Sequence, residues 1–159
     1  MFRVGFGYDV HQLTEGEALV LGGIKIEHNK GTVGHSDADV LIHAIIDAML
    51  GALALKDIGF WFPDNDNTYK NIDSKILLKK TYEIIKEKSY IISNIDSTLA
   101  LQSPKIKPFI DKMRQVLAET LEIETNQISV KATTTEKLGF VGRQEGVEAY
   151  AVVLLNKKV

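Results

Sequence analysis

Two periodicities of apolar positions run along the chain, and the switches between them divide it into elements. The opening "FRVGFGYDV" (2–10) reads as a strand and "ALVLGGIKI" (18–26) as a second, with a bulge or bend at Gly22-Gly23. From Ser36 or Asp37 to about Leu53 the spacing is helical, with a Ser or Asp cap at its start. Val40, Leu41, Ile42, Ile45, Ile46, Met49 and Leu50 leave this helix almost no polar face, which predicts burial on most sides. "KDIGFWFPDNDNTYKN" (56–71) interrupts the pattern and reads as a long loop, a length that compact domains keep for function or leave disordered. "DSKILLKKTYEIIKEK" (73–88) is amphipathic, with Leu78, Tyr82 and Ile85 on one stripe and lysines opposite. "YIISNIDSTLAL" (90–101) is strand-like. "PFIDKMRQVLAETLEI" (108–123) is a second amphipathic helix, with Pro108 in its first turn and Phe109, Met113, Val116 and Leu117 inward. Two strands, "ISVKATT" (128–134) and "VEAYAVVLL" (147–155), close the chain around "TEKLGFVGRQEG".

The order β-β-α-α-β-α-β-β predicts an α/β (α+β) architecture: one domain over residues 1–159, with a mixed sheet of four to five strands and helices on one face. Strands as apolar as "AVVLL" suit burial on both faces, which points to an oligomer. Composition narrows the chemistry. With 159 residues and 45% hydrophobic content the chain can build a single core. A net charge of −2, with Lys and Arg scattered, argues against binding nucleic acid by phosphate neutralisation. There are no cysteines, so any bound metal must take nitrogen and oxygen donors. No apolar run approaches a membrane span and the N-terminus lacks a signal-peptide core, so a soluble, cytoplasmic protein is expected.

Asp9 and His11 sit two apart in the first strand and share a face. His35, Asp39 and His43 recur at every fourth position, which would set three coordinating groups along one helix edge, and Asp47 extends that edge by a turn. Polar groups so dense on an apolar helix are costly without partners. Together these donors suffice for one acid and two histidines, a set that zinc accepts while keeping a fourth position open. Histidines satisfied within a core would show the same spacing. Asp47 can orient a ligand histidine or be a plain helix-surface acid. Asp57 ahead of Gly59, and Asp64 and Asp66 in "FPDND", can hold ribose hydroxyls or a hydrated cation, or can serve turns and caps. The hydroxyls and Glu136 of "TTTEKLGF" suit phosphate oxygens at a strand end, yet Thr is also good strand sequence. Lys105 and Lys107 lie on a proline-bounded loop, where a solvated charge pair is the alternative. His28 reads as a surface residue. Gly5-x-Gly7 is not a dinucleotide fingerprint, because no helix follows it, and there is no P-loop or nucleophile elbow.

Taken in order, "GYDVHQL", "GHSDADVLIHAIIDAMLGALALKDIG", "FPDND" and "VKATTTEKLGFVGR" resemble the 2-C-methyl-D-erythritol 2,4-cyclodiphosphate synthases of the non-mevalonate (MEP) isoprenoid pathway, over essentially the whole chain. The resemblance implies that Asp9, His11 and His43 hold zinc (or another divalent transition metal), one per subunit. It implies that Glu136 meets a second cation, Mg2+ or Mn2+, on the substrate diphosphate. His35 and Thr134 match the groups assigned to transition-state stabilisation. His35 and Ser36 match substrate contacts, as do Asp9, Val10 and His11 around the metal. Asp57, Ile58 and Gly59 match the ribose-holding turn. Phe62, Pro63, Asp64, Asn65 and Asp66 match the methylerythritol pocket. Leu101, Gln102, Ser103, Pro104, Lys105, Ile106 and Lys107, with Thr133, Thr134, Thr135 and Glu136, match the cytidine diphosphate region. Phe140 and Arg143 match ligand-contacting positions near a trimer's central cavity, where an isoprenoid diphosphate is a candidate occupant. Asn65 stands where a small hydroxyl residue is frequent, and "LQSPKIKP" departs at its edges from the commoner form. The implied protein is a homotrimer that cyclises a nucleotide-diphosphate substrate, 4-diphosphocytidyl-2-C-methyl-D-erythritol 2-phosphate, with release of CMP. A zinc hydrolase acting on a nucleotide diphosphate, or a non-catalytic nucleotide-binding trimer, would share much of this spacing.

Overall fold

The computed structural model describes residues 1–158. β1 (Phe2–Glu15) leads into a small hairpin, β2 (Leu19–Leu21) and β3 (Ile24–Ile26), and then β4 (Lys30–Thr32). Helices α1 (Val40–Ala52), α2 (Ile58–Trp61) and α3 (Ser74–Glu87) follow, then β5 (Tyr90–Ala100), α4 (Ile110–Leu121), β6 (Ile128–Thr133), α5 (Gly139–Gly142) and β7 (Gly146–Lys157). The main sheet has the order β4-β1-β7-β5-β6. Its β5–β6 pair is parallel and its other pairs are antiparallel, so the expected mixed sheet has five strands. α1 lies across β1 and β7 and against α3, while α3 packs on α4 and β5, and α4 on β6.

Alternation along β1 sorts its side chains by face. Gly5, Gly7, Asp9 and His11 face α1, whereas Phe2, Val4, Phe6, Tyr8 and Val10 are exposed on the other face. The glycines are required by the close approach of α1. A Cβ on Gly5 would stand 1.8 Å from the Ala48 carbonyl oxygen, and one on Gly7 would stand 1.9 Å from that of Ala44. Small residues on both elements therefore let the helix backbone sit directly on the strand, and ten of the thirteen α1 residues are buried. The outer face of the sheet, with Tyr150 and Val152 of β7 beside the β1 residues, has no helix layer.

Several boundaries differ from the sequence expectation: β1 runs on to Glu15, β4 and α5 are additional short elements, α4 starts at Ile110 after a 3₁₀ turn at Lys107–Phe109, and three further differences have a local cause. Residues 18–26 are a hairpin and not one bent strand: Gly22 and Gly23 have φ of 59° and 77°, the pair of positive values that a two-residue turn matched to strand twist needs. α1 begins after Asp39 and not at Ser36 or Asp37, because the Asp39 carboxylate caps it by accepting the Ile42 N–H at 3.0 Å. The 56–71 segment is partly ordered by α2 and by a 3₁₀ turn at Asn67–Tyr69, capped by Asp57 and Asp66.

Candidate metal centre and active site

Because α1 runs antiparallel over β1, the small Ala44 opposite Gly7 brings the next residue back along the helix, His43, over Asp9 and His11. Asp9 Oδ2 lies 2.9 Å from His11 Nε2 and 3.0 Å from His43 Nδ1, and the two ring nitrogens are 3.1 Å apart. Among the described residues this is the cluster of three potential ligand groups that could hold a metal ion. The donor set fits: with bonds of about 2.0–2.1 Å, a tetrahedral zinc ion has ligand–ligand edges of about 3.3 Å, so the triangle need open only slightly. Burial pushes the Asp9 carboxyl up, but hydrogen bonds and charge from His11 and His43 outweigh it and hold it at about 2. Burial also pulls the His11 pKa down, and the Asp9 carboxylate with the Val33 carbonyl reverses that and raises it. The outward nitrogens are held as well. His11 Nδ1 donates to the Val33 carbonyl at 2.9 Å, which fixes the ring with Nε2 toward Asp9 and His43. His43 Nε2 is 3.0 Å from both Ser36 Oγ and Ser74 Oγ.

The cluster opens on a cavity of about 400 Å³ lined by His11, Gly34, His35, Ser36, His43, Ile58, Gly59, Phe62, Asp64, Tyr69 and Leu77. The 57–66 segment reaches it through backbone anchoring. Asp47 Oδ1 accepts the Ile58 N–H at 2.7 Å, Asp57 Oδ1 accepts the Phe60 N–H at 2.9 Å, and His35 Nε2 donates to the Asp66 carbonyl at 3.0 Å. Asp47 thus orients the α1–α2 turn and not a histidine. Asp39 also stands apart from the metal cluster, since its fully buried carboxylate is spent on Ile42 and on the turn N–H groups of Gly22 and Gly23. His35 precedes the helix, so the fourfold row expected along one helix edge does not form. Val10 points to the opposite sheet face.

The other predicted residues gather elsewhere. Leu101, Gln102, Pro104, Lys105, Ile106, Lys107, Thr133 and Thr134 line a second cavity of about 180 Å³ that shares no residue with the first. Glu136 accepts the Thr134 hydroxyl at 3.1 Å, and the Thr135 hydroxyl donates to the Leu138 carbonyl. Phe140 packs against Gly146, while Arg143 is exposed and paired with Glu145. Sheet register puts Asp9, Ala149, Leu99 and Ala132 in one transverse row, so Asp9 and the Ala132 wall of the second cavity are three strand spacings, about 14 Å, apart. A larger cavity, about 890 Å³ between β3, α3 and α4, is lined by none of the predicted site residues. Sequence reasoning missed Tyr69 and Leu77 in the cavity wall, and Asp37 and Ser74 behind His43; no spacing or motif distinguishes them.

The signature of the YgbB family spans residues 2–156. A 2-C-methyl-D-erythritol 2,4-cyclodiphosphate synthase of Bacteroides fragilis is 63% identical over 155 residues, covering 98% of both chains. Among solved structures, the bifunctional IspDF of Campylobacter jejuni superposes with a TM-score of 0.95 at 44% identity, over 99% of this chain and 42% of that longer one. IspF of Plasmodium falciparum, solved as a CDP complex, superposes with a TM-score of 0.88 at 38% identity, over 99% and 97% of the two chains. With full-length identity at this level, the same fold and a three-donor cluster at its cavity, the chain belongs to the YgbB family, among the 2-C-methyl-D-erythritol 2,4-cyclodiphosphate synthases.

Proposed function

We propose that the protein is a metal-dependent cyclising phosphorus–oxygen lyase. It converts 4-diphosphocytidyl-2-C-methyl-D-erythritol 2-phosphate to 2-C-methyl-D-erythritol 2,4-cyclodiphosphate and CMP, within isoprenoid precursor synthesis. The Asp9–His11–His43 cluster at the mouth of the 400 Å³ cavity carries this reading. An oxygen of the 2-phosphate attacks the β-phosphorus, the bond from that phosphorus to the bridging oxygen breaks, and CMP leaves with that oxygen. The substrate brings its own nucleophile, so the protein's task is to fold it back and to absorb charge. Asp9, His11 and His43 would hold zinc, and Glu136 a magnesium or manganese ion on the diphosphate; bound there, such ions polarise phosphoryl oxygens as Lewis acids. His35 and Ser36 bind the phosphate end, Phe62 to Asp66 enclose the methylerythritol, and Ile58 and Gly59 belong with Asp57 to the turn that holds ribose. Asp57 keeps one carboxylate oxygen for ribose beyond its capping bond.

Lys105, Lys107, Thr133 and Thr134 bind the cytidine diphosphate portion in the second cavity, with Thr134 beside the reacting phosphates. The two cavities share no wall in one chain, and the uncovered face of the sheet is apolar. Both features support a homotrimer in which the metal cavity of one protomer meets the nucleotide cavity of its neighbour. The central channel of that trimer, near Phe140 and Arg143, would suit an isoprenoid diphosphate, apolar along its tail and anionic at its head. Among the described residues no helix is long and apolar enough to cross a membrane, and we place the reaction in the cytoplasm.

The test is CMP release by metal-stripped and zinc-restored protein, with mass analysis of the second product. A cyclic diphosphate formed only with metal is expected. A linear phosphate would make the protein a hydrolase and refute the reading.

A further inference from the structure

Ser74 opens α3, is fully buried, and makes more polar contacts than a helix start needs. The cap of α3 is Asp73, whose carboxylate accepts the Lys75 N–H at 2.9 Å. Asp37, reaching in from the segment before α1, nevertheless spends both carboxylate oxygens on Ser74: Oδ2 accepts its N–H at 3.0 Å and Oδ1 its hydroxyl proton. With that proton committed, Ser74 Oγ can meet His43 Nε2, 3.0 Å away, only as an acceptor. Nε2 must then keep a proton, so Nδ1, which meets the Asp9 carboxylate in the metal-free protein, is the ring nitrogen left to give up its proton to a metal. Ser36 Oγ takes the Ala38 N–H at 3.2 Å and, with its own proton given to Ser74 Oγ 3.3 Å away, can accept the same N–H.

We infer that Asp37 and Ser74 are positioning residues that, through a carboxylate–hydroxyl–imidazole chain, hold an N–H at His43 Nε2 and preset Nδ1 for the metal. The inference rests on the metal site proposed above. It makes three chain segments, those carrying Asp37, His43 and Ser74, jointly responsible for one ligand atom. Outer partners of this kind characteristically change metal affinity by about 10–100-fold.

The test compares wild type with Ser74→Ala. Zn2+ affinity is read by competition with a chromophoric chelator, and the His43 Nε2–H by long-range ¹H–¹⁵N NMR of the metal-free protein. The melting temperature without metal reports folding separately. Wild type should show Nε2 protonated, and Ser74→Ala should lose that fixed Nε2–H and weaken Zn2+ by about 10–100-fold. A folded Ser74→Ala protein with unchanged Nε2–H and affinity overturns the inference. Wild type that fails to bind Zn2+ overturns the metal site itself, a different result. Where Ser74→Ala does not fold, Asp37→Asn carries the same test: its amide must turn N–H groups toward a donor now served by carboxylate, and wild-type Zn2+ affinity there overturns the inference equally.

Discussion

Substitution of Gly7 by Ala tests whether the contact between α1 and β1 builds the metal centre. The new Cβ would lie 1.9 Å from the Ala44 carbonyl oxygen and 2.7 Å from the Ala48 nitrogen, so helix backbone and not a yielding side chain opposes it. To reach ordinary contact at 3.4 Å, α1 must retreat by about 1.5 Å at that point. His43 precedes Ala44 and moves with it, whereas Asp9 and His11 stay on the strand, and metal sites tolerate ligand displacements of only about 0.2 Å. Overpacking costs about 1–3 kcal/mol where side chains can adjust. Backbone against backbone puts this case at or above ~3 kcal/mol, a fall of roughly 6–12 °C in melting temperature for a chain of this size. Gly5→Ala makes an equal clash, at 1.8 Å from the Ala48 oxygen, one helical turn farther from His43. Thermal melts of metal-free protein and chelator competition with zinc separate the two effects. Both variants should melt lower, and Gly7→Ala should lose more zinc affinity, by over about 100-fold. Wild-type melting and zinc binding in Gly7→Ala would refute the idea that direct strand–helix contact places the ligands.

Two further outcomes follow from single contacts. Asp47 is raised above the usual carboxylate range by burial, against the Ile58 N–H bond that lowers it, so the native state takes up its proton at higher pH than the unfolded chain does. The ionised group's cost is therefore absent below about pH 4, the unfolded pKa, and grows as pH rises through the folded value. Asp47→Asn keeps an acceptor for Ile58, so in metal-free melts it should match or exceed wild type at pH 7 and lose that advantage near pH 4; a variant less stable at pH 7 only would contradict this. Val4 and Phe6 are 67% and 64% exposed on the uncovered sheet face, and the double change Val4→Asp/Phe6→Asp should give monomers in sedimentation velocity. Those monomers should keep zinc, which one chain holds alone, and lose cyclisation; an active monomer would defeat the trimer reading.

The long elements were legible because each has one dominant period. α3 buries the stripe its spacing announced, Leu78, Tyr82 and Ile85, and α4 buries Met113 and Leu117 of its stripe but leaves Phe109 and Val116 half-buried. The 18–26 hairpin was misread for a physical reason. Leu19, Leu21 and Ile26 are buried on both sides of the turn, and apolar spacing carries no sign of a reversal of direction. The positive φ of two adjacent glycines does carry it, and Gly-Gly between apolar runs was the usable signal. The start of α1 was obscured by excess, since Ser36, Asp37 and Asp39 are all good caps. Only the tertiary demand of the Gly22 and Gly23 N–H groups on Asp39 selects among them.

For the site, the decisive distinction is between ligands and what holds them. Asp9 and His11 were readable because strand periodicity alone puts them on one face, and the family resemblance paired them with His43. His35 was readable as a site residue only through that resemblance, since helical spacing placed it on an edge of α1 that the Asp39 cap removes. The supporting groups leave no trace at this level. Gly5 and Gly7 read as a failed nucleotide fingerprint until α1 is seen lying against them, and Asp37 and Ser74 are separated by 36 residues of chain and consist of two of the commonest cap types. Their contribution is a hydrogen's position on His43, which depends on where a hydroxyl proton goes and hence on both partners at once. Ligands can be inferred pairwise from spacing, whereas a tautomer is a property of the assembled chain of donors and acceptors. Substitutions outside the three ligands should therefore account for much of the metal affinity.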